Sequence, residues 1–136
     1  MAKLNQTLLI VDDEPSVAMT LKMIFEREGY AVATAASCAE ALNALSAGRK
    51  FDAVITDLNM EREDIGLEVV RAAQQLSARP VVVVCTGYAN LENSSKALQM
   101  KIDYLATKPV DLEELIGAMQ VMLRRRADGA SKAHAS

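Results

Sequence analysis

Residues Ala53 to Thr56 are apolar or β-branched at every position, and the run stops abruptly at Asp57. Leu8-Leu9-Ile10-Val11 has the same character and ends in Asp12-Asp13-Glu14. Pro80-Val81-Val82-Val83-Val84-Cys85, the most β-branched stretch of the chain, ends at Thr86-Gly87. A strand with one wet face alternates apolar and polar side chains; short runs without alternation read as strands buried on both faces of a parallel sheet. Taken alone, Asp57 reads as an ordinary loop start, since Asp is a common turn residue. Two buried strands that both deliver acid to their carboxyl ends change that reading, because open α/β sheets bind ligands there. Asp57 becomes the candidate centre.

Helical periodicity fills the spaces between the strands. Pro15 suits a first helical turn, Val17, Leu21, Ile24 and Phe25 recur at helical spacing, and Gly29 closes the segment. A second strand, Tyr30 to Ala35, precedes a helix opened by the capping pair Ser37 and Glu40 and closed by Gly48. After Asp57 comes a loop from Leu58 to Ile65, then a helix from about Gly66 to Ser77. Asn90 to Met100 is polar and weakly patterned, so a helix there is marginal and a mobile element is expected. Ile102 to Thr107 reads as the fifth strand, and Asp111 with Glu114 opens a last helix bearing Leu112, Leu115, Ile116, Met119 and Leu123. Arg124-Arg125-Arg126 reads as cations closing that helix. Ala127 to Ser136 has the composition of a disordered tail. Five strands alternating with five helices predict a doubly wound α/β fold around a parallel sheet, with residues 1–126 as one domain.

Composition excludes several functions. The net charge of −3 gives no basic footprint, so no direct contact with nucleic acid is expected. No apolar run approaches a membrane span and no signal peptide is visible, which predicts a soluble, cytoplasmic protein without membrane insertion. Cys38 and Cys85 are too few for a disulfide framework or a zinc site, and His134 is the only histidine. A histidine triad or a histidine phosphocarrier is therefore excluded.

The strand ends together carry Asp12, Asp13, Asp57, Thr86 and Lys108. Three carboxylates at about 4 Å repel by roughly 1 to 4 kcal/mol per pair at moderate dielectric. A hard divalent cation relieves that repulsion, and oxygen-only donors of this kind suit Mg²⁺. A cation, a lysine and a hydroxyl donor can surround the equatorial oxygens of a phosphoryl group in transit, and a carboxylate can accept that group covalently. This chemistry points to an aspartyl phosphate.

Four motifs then carry a resemblance: Val11-Asp12-Asp13-Glu14, Thr56-Asp57-Leu58-Asn59-Met60, Cys85-Thr86-Gly87 and Lys108-Pro109. In this order they resemble the receiver domains of two-component response regulators, the CheY-like superfamily, over roughly residues 5 to 124. The resemblance implies a flavodoxin-like strand order 2-1-3-4-5. It implies that Asp57 accepts a phosphoryl group from a histidine kinase or phosphotransfer protein. Asp12, Asp13 and Asp57 would hold Mg²⁺ with the backbone carbonyl of Asn59, Lys108 would pair with the phosphoryl oxygens, and Thr86 would move to hydrogen-bond one of them. Pro109 is expected to follow a cis bond, while Asn59 and Tyr88 occupy positions that tune phosphate lifetime. The face of the fourth helix, fifth strand and fifth helix would read the state out to a downstream protein. Self-phosphorylation and autodephosphorylation would be the only chemistry, so the chain is not expected to be an enzyme otherwise.

Three stretches depart from the family pattern. Met60-Glu61-Arg62-Glu63 stands where Pro usually follows the methionine, and Gly66 falls one residue late. Lys101-Ile102-Asp103 replaces the usual Gly-Ala. The switch position three before the lysine, usually aromatic, is Leu105, with Tyr104 beside it and facing the other way by strand alternation. Either a local bulge brings Tyr104 into that place or the aromatic rotamer switch is absent. The second case favours a receiver fold that binds partners without phosphorylation. A haloacid-dehalogenase-type phosphatase, which wants Asp where Asn59 stands, and a flavin carrier, which wants a Ser/Thr/Gly-rich loop after the first strand, both fit poorly.

Overall fold

A computed structural model describes the backbone of residues 6–60, 62–87 and 91–135, and their side chains except at 91–94 and 128–135. The elements run β1 (Thr7–Val11), α1 (Pro15–Arg27), β2 (Ala31–Ala35), α2 (Cys38–Ser46), β3 (Ala53–Asp57), α3 (Gly66–Gln74), β4 (Val81–Thr86), α4 (Leu91–Gln99), β5 (Tyr104–Thr107) and α5 (Leu112–Ala135). All five strands pair in parallel, in the order β2-β1-β3-β4-β5.

Strand alternation divides the core in two. Leu9, Val11, Val54, Val82 and Val84 face α2, α3 and α4, where they meet Ala41, Leu45, Val69, Val70, Ala73 and Ala97. Leu8, Ile10, Ala53, Ile55, Val81 and Val83 face α1 and α5 and meet Leu21, Phe25, Leu115, Met119 and Leu123. Both faces of β3 and β4 are covered, which is why these strands carry no polar alternation.

Local signals placed most boundaries. Ser37 Oγ accepts the Glu40 N–H at 3.2 Å, and Glu40 reaches back to the Ala36 N–H. Asp111 Oδ1 accepts the Glu114 N–H at 3.1 Å at the start of α5. Gly29 and Gly48 end α1 and α2 at φ 99° and 81°, the left-handed region that a Cβ disfavours. The weakly patterned α4 does form a helix; among its described side chains only Ala97 is buried, and Leu98 is exposed.

Two expectations are corrected. Strand β5 begins at Tyr104 rather than Ile102, because Asp103 stops the ladder: its Oδ2 accepts the Val82 N–H at 2.8 Å while its own N–H donates to the Val82 carbonyl. Asp52 does the same before β3, taking the Thr7 N–H at 2.8 Å. Second, α5 does not end at Arg126 before a disordered tail but continues to Ala135. Ala127, Ala130, Ala133 and Ala135 are strong helix formers, and no proline interrupts them.

Candidate functional site

The sheet order sets β1, β3, β4 and β5 side by side, and the register aligns their ends. Val11 pairs with Thr56, Asp57 with Cys85, and Thr86 with Thr107. Asp12, Asp13, Asp57, Thr86 and Lys108 therefore leave the sheet at one edge.

The carboxylates of Asp12, Asp13 and Asp57 offer oxygens that all lie within 4.8 Å of one another. Asp12 and Asp57 are buried, whereas Asp13 is exposed. Asp12 is fixed from both sides: its Oδ1 accepts the Glu14 N–H at 2.9 Å and its N–H donates to the Ala35 carbonyl. Lys108 Nζ sits 2.8 Å from Asp57 Oδ2 and 3.6 Å from Asp12 Oδ2. Burial pushes the Asp57 carboxyl above its usual range, against the opposing pull of the Lys108 hydrogen bond and charge; Asp12 pushes the same way as burial and the Asn59 backbone against it. Burial works to lower the Lys108 ammonium, but the hydrogen bond and charge of Asp57, with Asp12, outweigh it and hold it raised. The lysine is cationic at neutral pH.

Thr86 is buried, and among the described residues its hydroxyl makes one long contact, 3.4 Å to the Gly87 carbonyl. So long a bond leaves the hydroxyl cheap to redirect. Its own carbonyl accepts the Lys108 N–H at 2.7 Å, tying the ends of β4 and β5 together. The Lys108–Pro109 peptide bond is cis, as expected.

The loop after Asp57 is organised by the side chain of Asn59, a residue whose backbone carbonyl alone entered the metal reading, and by Asp64 and Lys96, which the motifs did not include. Asn59 Oδ1 accepts the Asp64 N–H at 2.8 Å, and Asp64 adopts φ 65°. Lys96 of α4 lies 3.5 Å from Asp64 Oδ2. Gly66 lies so close to the end of β3 that a Cβ would stand 2.1 Å from the Asp57 carbonyl oxygen. The sequence signal for this was a glycine opening a helix, where its freedom serves no cap.

The switch position is settled by register. Tyr104 pairs with Val83 and Leu105 with Val84, without a bulge across β5. Leu105 therefore shares the α2/α3/α4 face with Val84 and Thr86, and packs against that core. Tyr104 lies on the opposite face, packed against the α1/α5 core, with its hydroxyl donating to Glu114. Tyr88 lies outside the described residues.

A family model of the response regulator receiver domain matches residues 8–120. The chain belongs to this family. This receiver is 34% identical over 120 residues to the transcriptional regulatory protein GlrR of Escherichia coli K12, covering 88% of this chain and 27% of that protein. It is 32% identical over 124 residues to the transcriptional regulatory protein PrrA of Mycobacterium tuberculosis, covering 91% of this chain and 52% of that one. The receiver thus spans between about a quarter and a half of these relatives. A CheY-like receiver domain from Methanospirillum hungatei superposes with a TM-score of 0.83 at 28% identity, covering 92% of this chain and 98% of that one. No helix among the described residues is long and apolar enough to cross a membrane.

Proposed function

We propose that this receiver accepts a phosphoryl group on Asp57 and thereby switches its protein contacts. The observation that carries the proposal is the charge count at the strand ends: among the described residues, three carboxylates within 4.8 Å are met by one ammonium, Lys108. Two negative charges are left over, and a divalent cation balances them. The donors are oxygens only and Asp13 stays exposed, which suits a hard ion that keeps several waters. Asp12, Asp13 and Asp57, with the Asn59 carbonyl, would hold Mg²⁺, which supplies charge neutralisation at the phosphoryl oxygens.

A phosphohistidine of a histidine kinase or phosphotransfer protein is the donor class. An Asp57 carboxylate oxygen forms the new O–P bond as the N–P bond breaks, and the electron pair returns to the imidazole. Lys108, already 2.8 Å from Asp57, shifts its hydrogen bond to a phosphoryl oxygen, and the loosely held Thr86 hydroxyl turns to donate to another. Attack of water on the acyl phosphate reverses the state, so the chain is a phosphoacceptor with slow self-chemistry rather than a turnover enzyme. Output passes to a protein through the α4–β5–α5 face, where the state shifts an existing equilibrium. The relatives are named transcriptional regulators, which runs partly against an output free of nucleic acid; the proposal of protein contact is confined to residues 1–126.

Incubation with Mg²⁺ and acetyl phosphate, followed by intact mass, tests the proposal. One added phosphoryl group that is lost in Asp57→Asn supports it; no added mass, or equal labelling of the variant, overturns it. Leu105 on the face of Thr86 favours a second reading, a receiver fold that binds its partner regardless of phosphorylation. Partner affinity unchanged by beryllofluoride would select that reading.

A further inference from the structure

At the far end of the sheet from Asp57, a cleft of about 710 Å³ opens beside the start of β4, lined in part by Arg79, Lys101, Asp103, Arg125 and Arg126. Its size falls in the range of small-ligand sites. Its single carboxylate is already engaged, since Asp103 Oδ2 accepts the Val82 N–H at 2.8 Å. Among the described residues, Arg126 Nη1 reaches only the Asp52 carbonyl, at 3.4 Å. Among the described residues, Arg79, Lys101 and Arg125 have no ion-pair partner. Nor does a helix end account for the arginines. Helix α5 runs on to Ala135, so Arg125 and Arg126 lie in its interior, away from the negative end that would attract them. Like charges gathered on one wall repel, and a bound anion relieves that. Guanidinium groups pair with phosphate through two parallel hydrogen bonds, and three of the four cations are arginines. Val81 and Met122 add apolar lining that a bare inorganic anion would leave unused.

We propose that this cleft binds a small polyphosphate with an apolar part, of the nucleoside di- or triphosphate class, independently of Asp57. The ligand would bridge the residues before β4 and β5 to α5, so it would stiffen the edge of the domain that carries the output face. It would be a second input, read by different chemistry from the first.

The test is calorimetric titration of the 136-residue chain with ADP and ATP in the presence of EDTA. Inorganic phosphate and a poly-glutamate peptide serve as comparison ligands. Saturable nucleotide binding is expected, weakening with salt and unchanged in Asp57→Asn. Lys101→Gln and Arg125→Gln, both at exposed positions, should each weaken it by about tenfold or more. Absence of saturable nucleotide binding overturns the proposal, as does binding that both variants leave intact. Tighter binding of poly-glutamate than of ATP overturns it in favour of an acidic protein partner. Equal affinity for inorganic phosphate overturns the nucleotide class.

Discussion

Replacing Gly66 and Gly117 by alanine makes one chemical change twice, and the two changes should move stability in opposite directions. At Gly66 an added Cβ would lie 2.1 Å from the Asp57 carbonyl oxygen, 2.8 Å from Leu58 Cα and 2.9 Å from the Leu58 carbonyl oxygen. All three are backbone atoms, so no side chain can rotate away. Ordinary contact begins at 3.4 Å, so α3 or the end of β3 must retreat by about 1.3 Å. The retreat also strains the 2.8 Å hydrogen bond from the Gly66 N–H to the Leu58 carbonyl. Overpacking a tight site costs about 1–3 kcal/mol, and the upper end applies where only backbone can yield. Gly117, within α5, meets nothing within 4 Å. There alanine removes the entropic cost of a helical glycine and gains about 0.5–1 kcal/mol.

Urea unfolding read by circular dichroism gives both values, with midpoints compared at constant slope. At this size 1 kcal/mol corresponds to about 3–5 °C, so Gly66→Ala should lower the melting temperature by roughly 10 °C and Gly117→Ala should raise it by a few degrees. Because the displaced atoms belong to Asp57 and Leu58, Gly66→Ala should also slow labelling by acetyl phosphate, and Gly117→Ala should not. A Gly66→Ala variant within about 0.5 kcal/mol of the parent would refute the reasoning, because the site would then have slack that the geometry denies.

Asp57→Asn should stabilise the protein at neutral pH without divalent cation. The folded-state pKa of Asp57 is raised, so its contribution is most favourable below the unfolded value of 3.8 and is lost as pH rises through the folded value. The advantage of the variant should therefore shrink on acidification; melting curves that keep a constant gap down to low pH would oppose this. Tyr104 should be the tyrosine that ionises near 12: its hydrogen bond to Glu114 raises it first, with smaller effects from burial and nearby acids. Its contribution to stability is full below the unfolded value of 10.0 and is lost as pH passes about 12. Phenolate absorbance should show a late step that is missing in Tyr104→Phe and moves down in Glu114→Gln. Asp103→Ala should cost about 1–3 kcal/mol in urea unfolding by leaving the buried Val82 N–H without its acceptor, and Asp103→Asn, which keeps an oxygen, should recover most of it.

The legible parts of the chain were those in which each residue's neighbours in sequence decide its state. Val81 to Thr86 is apolar or β-branched throughout because both faces are covered, so the sheet and the side-by-side acids could be read from patterning. Ser37, Gly29 and Gly48 marked helix ends through local capping and left-handed backbone. What escaped depends on contacts across long separations. The Asp103 clamp on Val82 shortens β5 by pairing residues 21 apart, and periodicity alone carries no sign of it. The close approach of Gly66 to Asp57 exists only once α3 is laid against β3. Past Arg126 composition misled, because Ala, Ser, Lys and Gly suggest a tail when hydrophobicity is weighed and a helix when alanine propensity is.

The regular register of β5 also decides what kind of coupling this receiver can have. Thr86 and Leu105 share one face, and Tyr104 is committed to the other by its packing and by Glu114. Among the described residues, no planar ring that could swap between buried and exposed rotamers therefore stands on the Thr86 side of β5. Leu105 is only partly buried, so a change in Thr86 can reach the surface there by aliphatic repacking, a graded displacement rather than a two-position rotor. A second connection runs from the Asp57 loop through Asn59 and Asp64 to Lys96 of α4. Lys96 is more than half exposed, so that ion pair is worth little by itself. It nonetheless joins the loop after Asp57 directly to α4, of whose described side chains Ala97 alone is buried. A displacement of the loop at Asp64 therefore reaches α4 through this pair, with a bias small enough to shift a population and too small to fix one state.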